Sequence, residues 1–97
     1  MSKLLTDQQS FNKTLFMKTT AEISYYPLNK EFEQPVLDFI KAMEGYGKVK
    51  VEPGTMSTLI IGDYDDVMSL LTQTIKPFME KMPSVFALRI TNACKVC

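Results

Sequence analysis

A hydrophobic period that switches between two residues and a helical turn, in a fixed order along the chain, restricts the fold more than any other feature. "MKTTAEISYYP" alternates, with Ala21, Ile23 and Tyr25 on one side and Glu22, Ser24 and Tyr26 on the other. That period, in β-branched and aromatic residues, predicts a strand ended by Pro27. "NKEFEQPVLDFIKAMEGYG" changes to helical spacing through Phe32, Val36, Phe39, Ile40 and Met43. Asn29 or a neighbour can cap this helix, Pro35 suits its first turn, and Gly45 or Gly47 can end it. "KVKVEPG" is a short strand with Val49 and Val51 on one face, and Pro53-Gly54 turns the chain so that "TMSTLIIG" runs back as a hairpin. "DYDDVMSLLTQTIKPFMEKMP" is helical through Val67, Met68, Leu71, Ile75, Phe78, Met79 and Met82. Its acidic opening complements a helix N-terminus, and one of Asp63 or Asp65 is expected to supply the cap. Pro77 is expected to kink this helix or break its last turns. "SVFALRITNA" sets Phe86, Leu88 and Ile90 against Val85, Ala87 and Arg89 as a last strand.

Strand, helix, strand, strand, helix, strand, with short loops and right-handed crossovers, is the order of a ferredoxin-like βαββαβ sandwich. The expected sheet is antiparallel, of order 4-1-3-2, with both helices on one face. The chain has 97 residues, enough for one core. The expected division is a tail or weak helix over 1–15, the ferredoxin-like domain over 16–93, and a tail over 94–97. Phased by the alternation, the open face of the sheet would carry Glu22, Ser24, Tyr26, Met56, Thr58, Ile60, Val85, Ala87 and Arg89. A solvated face would be more polar, so Ile60, Met56, Tyr26 and Val85 there point to an interface between copies of the chain, a homo-oligomer. Glu22 and Arg89 would lie on adjacent strands, close enough for a cross-strand ion pair.

Composition removes several function classes. The 11 basic and 11 acidic side chains leave a formal net charge of +0 and are interspersed, which argues against a nucleic-acid or membrane-surface partner. No apolar run approaches the roughly 18 residues that span a bilayer. "MSKLLTDQQSFNKTLF" lacks the apolar centre of a signal peptide, so the cytoplasm is the expected compartment. The chain has no His, the commonest general base and metal ligand. With no Ser, Cys or Lys beside an evident base, an enzyme is not expected. Cys94 and Cys97 form "CKVC" at the end of the sequence, with no helix to open, and read as structural or incidental rather than as a redox or zinc site. Asp63, Asp65 and Asp66 suit helix capping better than a cation shell, which needs more oxygen ligands. No cofactor and no metal are expected.

"AEISYYPLN", "PVLDFI", "MSTLIIGDYDDVMSLL" and "SVFALRI", in that order, resemble the YkoF-like thiamine/hydroxymethylpyrimidine-binding family. The resemblance runs from about Thr19 to Asn92, and its most specific pieces are "YYPL" and "MST…GDYDDVM". It implies a ferredoxin-like domain, assembly into dimers or tetramers through sheet faces, and non-catalytic binding of thiamine or its pyrimidine precursor in salvage, storage or delivery. Members with two repeats carry the domain twice; here it occurs once, so a second copy would come from another subunit.

An aminopyrimidine presents a donor amino group beside ring-nitrogen acceptors on a flat ring. Its site needs an acceptor, a donor close by, and an aromatic or Met wall. Glu22, Ser24, Ser57 and Thr58 supply polar groups; Tyr25, Tyr26 and Met56 supply the aromatic and Met surface. Ser57 and Thr58 point to opposite faces of a strand, so only one of them is expected in the same pocket. A regulatory or structural oligomer with another ligand, or none, is the competing reading, because this fold hosts many functions.

Overall fold

The computed structural model describes residues 16–93. The expectations for 1–15 and for Cys94 and Cys97 lie outside the described residues. The elements are β1 (Lys18–Pro27), α1 (Glu33–Glu44), β2 (Lys50–Pro53), β3 (Thr58–Asp63), α2 (Tyr64–Lys81) and β4 (Ser84–Thr91). All strand pairs are antiparallel and the sheet order is β2-β3-β1-β4, the ferredoxin-like arrangement.

β1 lies inside the sheet between β3 and β4, and its alternation separates the two faces. Ala21, Ile23 and Tyr25 are buried under the helices, and Glu22 and Ser24 are only half-buried on the other face. α1 brings Phe39 and Met43 onto that core, and α2 brings Val67, Leu70, Leu71 and Phe78. Tyr25 stacks on Phe86 of β4 with centroids 4.6 Å apart, and Phe39 lies 5.1 Å from Tyr25 and 5.2 Å from Phe78. Burial of these rings and aliphatic side chains supplies the main driving force for folding. Among the described residues no helix is long and apolar enough to cross a membrane.

β3 departs from the expected phase. Ala21 pairs with Ile60 and Ile23 with Thr58, so Thr58 and Ile60 face the helices; Ile60 is 0% exposed and Thr58 5%. Leu59 and Ile61 occupy the open face instead, opposite Glu22 and Thr20. The segment Leu59–Ile60–Ile61 is apolar on both faces, so its alternation carries no phase; the hairpin register decides it. Pro53 pairs with Thr58 across the loop 54–57, which sets the core-facing Val51 opposite Ile60.

Helix ends also differ in detail. Asp63 takes the N-cap position of α2 without a side-chain cap bond. Its carboxylate accepts the Met17 N–H at 3.1 Å, while Tyr64 N–H donates to the Met17 carbonyl at 3.0 Å, tying the start of β1 to the start of α2. Phe32, not Asn29, precedes α1; Asn29 Oδ1 accepts the Glu31 N–H in a turn before it. α2 continues through Pro77 to Lys81 rather than breaking there. Gly47, at φ 87°, takes the left-handed conformation that reverses the chain after α1.

Candidate functional site

β3 stops at Thr58 opposite Ile23, whereas β1 runs on to Pro27 beside β4. The sheet is therefore notched, and the loop 54–57 crosses the notch. Gly54 N–H closes this loop on the Ser57 carbonyl at 2.8 Å, and Ser24 Oγ donates to the Met56 carbonyl at 3.1 Å. A Cβ at Gly54 would meet that Ser57 oxygen at 2.9 Å, so the close approach depends on glycine. Met56 is left 81% exposed at the loop tip.

On the open face, the notch opens into a cleft of about 300 Å³. Glu22, Ser24, Tyr26, Met56 and Ser57 line it together with Ala87, Leu88 and Arg89. Thr58 does not; it lines a second crevice on the helix side, to which Ser24, Tyr26, Met56 and Ser57 also contribute. The sequence thus assembles its site residues around one notch but divides them between two faces, with Ser57 rather than Thr58 in the cleft.

Glu22 is the polar centre of the cleft. Ser57 Oγ donates to its Oε2 at 2.7 Å, and Arg89 Nε stands 3.8 Å from its Oε1. The register sets Arg89 directly opposite Glu22. The second distance is that of an ion pair but too long for a hydrogen bond, so an acceptor and a donor stand side by side with bonding capacity unused. The Arg89 side chain is 86% exposed, which makes the pair weak as a contribution to stability. Tyr26 and Met56 supply the apolar walls. Arg89 was legible as a cross-strand partner of Glu22, but its place in the cleft depended on where the notch falls.

Beyond Glu22 the open face continues through Leu59 and Ile61 to β2, where Lys50 and Glu52 form an ion pair at 2.8 Å. That hydrogen bond and the carboxylate's charge raise the Lys50 pKa above its ordinary value. A broader depression of about 450 Å³ beside the start of α1 is lined by Lys30–Gln34 and Leu37. It is a surface of one continuous segment, without side chains converging from different elements. Among the described residues no group of three metal-ligating side chains is close enough to hold an ion.

This fold recurs among solved structures. The chain is similar to a hypothetical protein from Methanocaldococcus jannascii, with 26% identity and a TM-score of 0.67 over 77% of this chain and 79% of that one. It is also similar to a "putative thiamine biosynthesis/salvage protein" from Thermotoga maritima, with 20% identity and a TM-score of 0.68 over 75% and 81%. A domain of unknown function (DUF77) from Bacillus cereus gives 18% identity and a TM-score of 0.67 over 79% and 77%. Likeness at the identities of the latter two is likeness of fold. No protein-family model and no curated protein matches the chain.

Proposed function

We propose that this chain is a non-catalytic binding protein for thiamine or its hydroxymethylpyrimidine moiety, acting as a homo-oligomer in salvage, storage or delivery. The observation that carries the reading is the Glu22–Arg89 pair, 3.8 Å between Oε1 and Nε, in a cleft walled by Tyr26 and Met56. An aminopyrimidine edge offers a donor beside an acceptor, the complement of this pair, and its flat ring suits a wall of Tyr and Met. Ser57 fixes the carboxylate through its other oxygen, so little ordering is left to the moment of binding. The name of the Thermotoga maritima neighbour points to the same vitamin.

Titration calorimetry with thiamine, hydroxymethylpyrimidine and caffeine, a purine without an amino group or any N–H donor, tests the reading. Saturable heats with the first two and none with caffeine are expected. Heats with none of the three would leave the competing reading, an oligomer without this ligand. That alternative has its own support in the open face, which Leu59 and Ile61 share with exposed Tyr26 and Val85.

A further inference from the structure

We propose that the crevice on the helix side of the notch is a second binding site, for a small uncharged ring bearing one hydrogen-bonding group. The crevice has a volume of about 250 Å³. Ile23 of β1 and Val36, Phe39 and Ile40 of α1 give it apolar walls. Among the described residues no carboxylate, ammonium or guanidinium group belongs to its lining, in contrast to the cleft across the sheet. A charged ligand would lose its hydration there and gain no partner, so the site selects against ions. The volume lies just below the usual range of small-molecule sites, which restricts the occupant to a single ring.

One hydroxyl of the lining points to a polar atom on that ring. Thr58 is 5% exposed, and its Oγ1 makes no hydrogen bond among the described residues, while its backbone pairs with Ile23 and Pro53. The Tyr25 hydroxyl also has no partner among the described residues, but it is buried out of reach of the crevice. Ser24 and Ser57, which border both faces of the notch, have theirs satisfied by the Met56 carbonyl and by Glu22. Folded chains satisfy nearly all buried polar groups, so an idle hydroxyl on a residue as buried as Thr58, beside a cavity, calls for an explanation. A ligand hydroxyl bonded to Thr58 Oγ1 supplies one. The assignment does not depend on the Glu22 cleft or on its ligand.

The probe is phenol, with toluene and benzoate as controls, followed by shifts of the backbone amides in NMR titrations. Phenol is expected to shift Val36, Phe39, Ile40 and Thr58 saturably, with a dissociation constant on the order of millimolar. Benzoate should not bind. Thr58→Val keeps the shape of the side chain and removes a hydroxyl that bonds to nothing, so the fold should persist. It should weaken phenol by roughly two- to tenfold and leave toluene unchanged. Thr58→Ala provides a second variant should Thr58→Val fail to fold, with the same expected loss for phenol relative to toluene. Absence of saturable shifts at these residues, equal binding of benzoate, or unchanged phenol affinity in the variant that folds would each overturn the proposal. Failure of the thiamine reading would show instead at the amides of Glu22 and Arg89.

Discussion

At the scale of single residues, packing and polar satisfaction explain positions that pattern leaves open. Gly62 carries no hydrophobic signal, yet a Cβ there would meet Val49 Cγ1 at 2.9 Å and Cβ at 3.3 Å. Gly62→Ala is therefore expected to destabilise by about 1–3 kcal/mol in denaturant melts, the usual cost of overpacking. Val49→Ala in the same chain should restore part of that loss, and two independent, additive losses would show that the positions do not touch. Glu22 was readable as a site residue because a carboxylate beside apolar neighbours needs a partner. The structure gives it two, Ser57 and Arg89. The split between Ser57 and Thr58 was readable in principle from alternation, but which of them faced Glu22 was not.

At the scale of elements, legibility followed how strictly a segment alternates. β1 and β4 were phased correctly because over Ala21–Tyr26 and Val85–Ile90 the charged and serine residues fall on one side only: Glu22, Ser24 and Tyr26 pair with Arg89, Ala87 and Val85. β3 was phased one residue out because Leu59, Ile60 and Ile61 are apolar on both faces, and a shift of one residue exchanges the faces completely. The difference has a measurable consequence. Ile60→Ala should cost about 2–5 kcal/mol of folding stability, as expected for emptying a fully buried position. A cost below about 0.5 kcal/mol, typical of surface substitutions, would return Ile60 to the open face. Pro77 shows the limit of local rules. The proline removes one helical hydrogen bond, but Phe78 beyond it packs on Phe39, and that tertiary contact favours continuing α2.

At the scale of the whole molecule, the order of elements was sufficient for the topology, since short loops and one helix-covered face leave few alternatives. The cleft was less legible, because it arises where β3 ends before β1, a difference in strand length that periodicity does not report. The open face remains the surface through which copies of this chain are proposed to associate, now with Leu59 and Ile61 in place of Ile60, together with Tyr26, Met56 and Val85. Ile61→Glu, set opposite Lys50 on that face, should give monomers in light scattering while leaving the circular dichroism spectrum intact. A wild-type protein that is already monomeric would remove the sheet-face interface from the account.

Glu22 is proposed to anchor an aminopyrimidine, and calorimetric titration of hydroxymethylpyrimidine into wild-type protein and Glu22→Gln isolates that interaction. Gln keeps the size of the side chain but lacks the charge. A charged hydrogen bond is worth roughly 1.5–3 kcal/mol, so the account predicts affinity at least about tenfold weaker, with fold and oligomeric state unchanged. Equal affinity in the two proteins would contradict it and assign Glu22, with Ser57 and Arg89, to the scaffold.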